Sequence, residues 1–222
     1  VCQGGPPPRW DVVGSLRGTD AAGLMRLVSY GVIDWPPARG ERPAVVFDRP
    51  KGARLVKSLR QKRTPTGEEQ ISRLVISPVT QALTELKLRR VFHGLINPTN
   101  LWLREVDEAG GARALLGECV TAPAGFCQPV TFETIERGMT SARGAGTMAD
   151  DLYAFRVTIL YLMLGQMPAG HLDDRAVLHE KIERGSFHAL IGDTRLPLSV
   201  LEPVRGLLID DPASRWTLED LE

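Results

Sequence analysis

The residues whose types could do chemistry gather in two short stretches. In VFHGLINPTNLWL, Val91 to Leu103, His93 carries an imidazole that titrates near neutral pH, and Asn100 carries an amide oxygen able to face a cation. In LLGECVT, Leu115 to Thr121, Glu118 is a carboxylate between Gly117 and Cys119. An imidazole, an amide and a carboxylate are ingredients of proton transfer and of metal-assisted group transfer. Leu95, between His93 and Asn100, has no lone pair with which to take a proton.

Other clusters are less specific. HLDDRAVLHE, His171 to Glu180, holds two histidines and two aspartates but lacks the i, i+4 histidine spacing of a helical metal site. The run RLVKSLRQKR, Arg54 to Arg63, carries five positive charges and reads as a solvated helix face. Cys2, Cys119 and Cys127 are odd in number without zinc-type spacing, which predicts reduced thiols in a cytoplasmic domain. With 27 basic and 27 acidic residues the chain has no net field to steer nucleic acid or an anionic membrane, so the expected partner is recognised by shape.

These groups must be positioned by elements that the hydrophobic periodicity predicts. Val12, Val13, Leu16, Leu24, Leu27 and Val28 recur at helical spacings, predicting a helix over Trp10 to Tyr30 with a break near Gly18. SYGVIDW and PAVVF, separated by PPARGER, predict a hairpin, and DRPKG, Asp48 to Gly52, a connector. Thr66 to Arg90 predicts a helix with a Thr66/Glu69 capping box, one apolar face from Ile71 to Leu86, and a kink at Pro78. Two short strands around Leu101–Leu103 and Ala114–Leu116 flank the DEAGGA turn, and from Thr131 onward the chain alternates helices with polar connectors. The longest apolar stretch, Leu152 to Leu164, is short and broken by Arg156, which predicts no direct membrane insertion. Val1 is not an initiator Met and no signal-like segment precedes the domain; the expectation is a soluble excerpt whose parent could be membrane-anchored elsewhere.

The order of these elements, with four local motifs, resembles the eukaryotic-type protein kinase fold over most of the chain. HGLINPTN is similar to the catalytic loop HRDLxxxN. FETIE, Phe132 to Glu136, is placed like the segment ending in Ala-Pro-Glu. DDLYAFRVTILYLMLGQMP, Asp150 to Pro168, is similar to the buried central helix of the large lobe, and DDPASRWTLEDL, Asp210 to Leu221, to its closing Asp-Pro and Arg. The resemblance implies an α+β, kinase-like chain: a small sheet-bearing N-lobe, reduced or truncated, over residues 1–50, and a larger, mainly helical C-lobe over 51–222.

It also implies where chemistry would sit. The base of the loop falls on Leu95 and its arginine on Gly94. The metal-binding Asp falls on Gly117, with Glu118 and Cys119 after it; a one-residue slip would put Glu118 at the metal beside Asn100. No glycine-rich loop precedes the front part, since Gly4-Gly5 runs into prolines. If VCQ is a remnant of the third strand it carries no lysine, the following helix has no glutamate, and Phe47 narrows the adenine end of the cleft. By the same resemblance Glu136 and Arg215 form a buried ion pair, and Asp151 holds the catalytic-loop backbone. The implied protein is a pseudokinase without cofactor or metal, acting as a protein-interaction or regulatory scaffold for another protein or for other domains of its own polypeptide. The alternative is an atypical nucleotide-dependent transferase or nucleotide sensor using Glu118 and Asn100. Val177, Ile182 and Phe187 mark the implied docking area.

Overall fold

The computed structural model describes residues 7–105, 111–121, 128–139, 146–192, 194 and 204–221. The VCQ segment, Gly4-Gly5, Cys2, Cys127 and most of the DEAGGA turn lie outside them.

The chain is mixed α and β, with two small two-stranded antiparallel sheets. Helix α1 (Trp10–Leu16) ends much earlier than the apolar spacing predicts. Gly18 turns the backbone at φ +72°, and Leu27 and Val28 enter strand β1 (Leu27–Trp35) instead of a helix. Gly14, Gly18 and Gly23 withhold the propensity a longer helix needs. Gly23 passes so near the next helix that a Cβ would sit 2.0 Å from the Pro78 carbonyl oxygen. Strand β2 (Gly40–Phe47) pairs with β1 from Leu27↔Phe47 to Trp35↔Gly40, so the expected hairpin is present. A 3₁₀ turn at Pro36–Ala38 and a left-handed Arg39 close it.

Helix α2 (Glu68–Ile71) widens into one π turn, Ser72–Ile76, and continues as α3 (Ser77–Leu88). The wide turn immediately before Pro78 gives room where the ring would crowd the preceding carbonyls. Ile71, Val75, Val79, Ala82, Leu83 and Leu86 are buried, as the apolar face predicts. The expected Thr66/Glu69 box is not formed: Gly67 is the N-cap with no side-chain bond, because Thr66 donates its N–H to Leu162 O instead (2.9 Å). A capping box does occur at the start of α5 (Met148–Leu164), between Thr147 and Asp150.

Strands β3 (Leu101–Glu105) and β4 (Ala112–Leu116) pair from Leu101↔Leu116 to Glu105↔Ala112. Single bridges extend this hairpin on both sides, Leu24 to Leu116 and Arg54 to Trp102. Arg54 to Arg63 is therefore no helix face. It starts against β3 and then crosses the end of α5 as a strap, pinned by Arg63 N–H to Gly165 O (2.8 Å) and Tyr161 O–H to Gln61 O (2.5 Å). A longer strap side chain is not what holds it close; a Cβ on Gly165 would lie 2.2 Å from Arg63 O, so glycine is what admits the approach.

Short helix α4 (Ile135–Gly138), α5, α6 (Asp174–Arg184) and α7 (Ser186–Ile191) build the rest. Twelve residues of α5, from Asp151 to Leu162, are buried, which makes this helix the axis of the core. One apolar cluster runs from Val12 through Val79, Leu116 and Phe155 to Leu218. Val177, Ile182 and Phe187 do not share a face: Val177 is in the core, Ile182 is exposed and Phe187 packs half-buried on the core edge. Among the described residues no helix is long and apolar enough to cross a membrane.

Candidate functional site

Strand pairing brings the two chemical stretches together. Asn100 immediately precedes β3 and Gly117 immediately follows β4, so the pair Leu101↔Leu116 sets them side by side, with Gly117 N–H donating to Asn100 O (2.8 Å).

Helix α5 then fixes the loop from below. Asp151, in its first turn, accepts from His93 N–H (2.5 Å) and Gly94 N–H (2.8 Å) through its two oxygens. Gly94 sits at φ +78°, a left-handed conformation that a glycine adopts without strain. Burial pushes the Asp151 carboxyl up to about 7, with these two N–H bonds pulling the other way.

His93 is fully buried. Its Nδ1 accepts from Leu95 N–H (3.1 Å), which leaves Nε2 to carry the proton and donate to Gly117 O (3.1 Å). Burial lowers its pKa to about 4, so the ring is neutral at physiological pH and both nitrogens are engaged in structure. Leu95 is buried too and supplies no polar atom.

Asn100 donates through Nδ2 to Leu95 O (3.0 Å) and to Glu118 O (2.9 Å). Its Oδ1 faces Gly117 so tightly that a Cβ there would be 2.0 Å away. No side chain, and in particular no aspartate, fits at position 117 in this arrangement. Glu118 folds back on its own turn: Oε2 accepts from Val120 N–H (2.8 Å) and Thr121 N–H (3.1 Å), Oε1 from the Thr121 hydroxyl (2.6 Å). That local bonding is how its charge is accommodated beside the buried loop.

Arg9 closes the assembly, and no periodicity or motif singles it out in the sequence. Its guanidinium donates to His93 O (3.1 Å) and Cys119 O (3.0 Å) and lies 4.2 Å from the centre of the Phe92 ring. Arg9 N–H also donates to Val120 O (2.8 Å). Cys119 beneath it is buried, with its thiol pushed up to about 12 by burial, so it is inert rather than nucleophilic.

The expected ion pair of Glu136 with Arg215 is not formed. Arg215 donates to Ile209 O (2.8 Å) and Asp210 O (2.9 Å). The buried ion pair instead joins Glu133 to Arg137 (3.2 Å). It continues to the loop through Glu133 Oε1, Gln128 and Asn97, with both intervening bonds 3.1 Å. Only the three-dimensional path from Asn97 shows that Glu133 is the glutamate enclosed here.

Lys181 is a second buried charge that motif reading passes over. Its ammonium donates to Val130 O (2.8 Å), Thr131 O (3.2 Å) and Glu133 O (2.7 Å) and lies 4.9 Å from the Tyr153 ring centre. Its place four residues after buried Val177 puts it on the inward face of α6, the one sequence signal that marks it.

No group of His, Cys, Asp and Glu among the described residues has the arrangement of a metal site, and His171 to Glu180 is no exception. Asp173 caps α6 through Ala176 N–H (2.8 Å) and Asp174 accepts from Val130 N–H (3.1 Å). A cavity of about 760 Å³ lies away from the loop, between the strap, Pro129 and Thr131, the α5–α6 connection and the end of α7. In this geometry the loop's polar side chains hold backbone: the imidazole is neutral, the amide nitrogen of Asn100 and the carboxylate of Glu118 are hydrogen-bonded, and Arg9 donates to His93 O and Cys119 O. No protein-family model matches the chain and no curated protein matches it.

Proposed function

We propose that this chain is a kinase-like domain, a pseudokinase, that has lost phosphoryl transfer and serves as a protein-docking or regulatory scaffold. One observation carries the reading: both nitrogens of His93, the amide nitrogen of Asn100 and both carboxylate oxygens of Glu118 are engaged in hydrogen bonds within and beside the loop. Phosphoryl transfer depends on placed charge, with a base for the hydroxyl, a lysine for the phosphates and carboxylates for magnesium. Here Leu95 stands at the base, Gly117 at the metal aspartate, and Asn100 is turned to carbonyl oxygens. The persistence of Asp151 under the loop and of a buried ion pair near it is what a retained scaffold needs without catalysis.

A transferase or nucleotide sensor built on Glu118 and Asn100 has less support, since the Glu118 oxygens already accept three local hydrogen bonds. The reading takes the partner to be another protein or other domains of the same polypeptide, in the cytoplasm, and not nucleic acid. Calorimetric titration with ATP, with and without magnesium, tests it. We expect no saturable heat and no phosphate transfer to a generic protein substrate; magnesium-dependent binding with turnover overturns it.

A further inference from the structure

The strap and the cavity beside it form a charged surface that the loop does not explain. From Arg49 to Gly67 the chain carries Arg49, Lys51, Arg54, Lys57, Arg60, Lys62 and Arg63 and no acidic residue, in a protein whose basic and acidic residues are equal in number overall. None of these seven cations is in an ion pair among the described residues. Arg54 stacks on Trp102 (4.9 Å) and the others are exposed or half-buried. The strap is nevertheless held in place, because its backbone bonds to β3 at one end and to α5 at the other. A fixed row of unpaired cations concentrates anions.

The cavity of about 760 Å³ opens under this row. Arg60 and Lys62 contribute to its wall together with Leu59, Met167, Leu172 and Ile191. Among the described residues of that wall, Asp174, bonded to Val130 N–H, is the only carboxylate and the exposed His171 the only aromatic ring. A wall of aliphatic side chains and a thioether takes up an apolar side chain. Among the described residues it has no Phe, Tyr or Trp of the kind on which single-stranded nucleic acids stack.

We propose that this cavity docks an acidic peptide segment, its apolar side chains entering between Leu59, Met167 and Ile191 and its carboxylates meeting Arg60, Lys62 and the rest of the strap. This deepens the reading of a protein-docking scaffold and rests on it.

Fluorescence anisotropy on the full chain tests the inference, using a short fluorescein-labelled peptide that alternates glutamate and leucine, its glutamine-for-glutamate analogue, and a single-stranded oligonucleotide of equal charge. We expect the acidic peptide to bind at least about tenfold more tightly than the glutamine analogue and to weaken as salt rises. The double variant Arg60→Glu/Lys62→Glu loses about tenfold or more, while Arg17→Glu/Arg113→Glu, with the same change in net charge, stays within about twofold. Ala189→Trp, which fills the cavity wall, weakens the same peptide at unchanged melting temperature. If the charge reversals lower the melting temperature, Arg60→Gln/Lys62→Gln replaces them with the same expected direction. Equal binding of the glutamine analogue or of the oligonucleotide, or an equal loss in the two charge-reversal pairs, overturns the docking inference and leaves the scaffold reading standing. Phosphorylation of a serine-containing version of the peptide with ATP and magnesium removes the scaffold reading itself.

Discussion

Lys181 offers a measurement whose sign follows from its surroundings. Burial lowers its pKa from 10.5 to about 7, with the carboxylates of Glu133, Asp210 and Asp174 pulling the other way. An unfolded chain keeps this lysine protonated up to about pH 10.5, so between pH 7 and that value the unfolded state binds one more proton than the folded one. Stability attributable to Lys181 therefore rises with pH across this window, by about 1.4 kcal/mol per pH unit. Lys181→Met keeps the unbranched stem and removes the titration. It also leaves Thr131 O and Glu133 O without the donor they have now, at a cost of roughly 1–3 kcal/mol for each. Guanidinium unfolding of both proteins from pH 6 to 9 reads the difference between them, in which other titrations common to the two chains cancel. The wild-type advantage should be nearly constant up to pH 7 and then grow by roughly 2–3 kcal/mol by pH 9. An advantage that stays flat over the whole range refutes the assignment of a buried, readily deprotonated lysine, and an advantage that shrinks refutes the sign.

Two further outcomes test the loop and the ion pair. Gly117→Ala places a Cβ 2.0 Å from Asn100 Oδ1 and 2.7 Å from Asn100 O, and should lower stability by about 3 kcal/mol, at the upper end for overpacking; an unchanged melting curve would show that the loop yields easily. Arg137→Met strands the buried Glu133 carboxylate with Gln128 as its remaining side-chain donor, and should cost about 3–5 kcal/mol at pH 7. The loss should be smaller at pH 4.5, where burial favours a protonated Glu133, and urea titrations at the two pH values compare them directly.

The helical repeat from Ile71 to Leu86 determined its element by itself, because the side chains it buries lie on one face at a fixed period; SYGVIDW and PAVVF were legible as a hairpin from their β-forming residues on either side of a turn, although the side chains of SYGVIDW stay exposed or half-buried. The same logic overextended α1: apolar residues at helical spacing up to Val28 satisfied the pattern, but glycines made the helix costly and Phe47 offered Leu27 a strand partner. Arg54 to Arg63 failed as a helix for a related reason, since its backbone found partners in β3 and α5 that a local pattern does not contain.

The candidate loop divides in the same way. That Leu95 cannot act as a base and that Gly117 offers no side-chain oxygen to a metal are properties of residue type, readable without coordinates. What neighbours Asn100, which glutamate is enclosed, where Arg9 reaches and what Lys181 bonds are decided by contacts between residues as far apart as Arg9 and Cys119. A sequence carries local periodicity and residue chemistry, whereas a buried charge is specified by the particular carbonyls and side chains that surround it, and those meet only when β3 pairs with β4 and α5 passes beneath them.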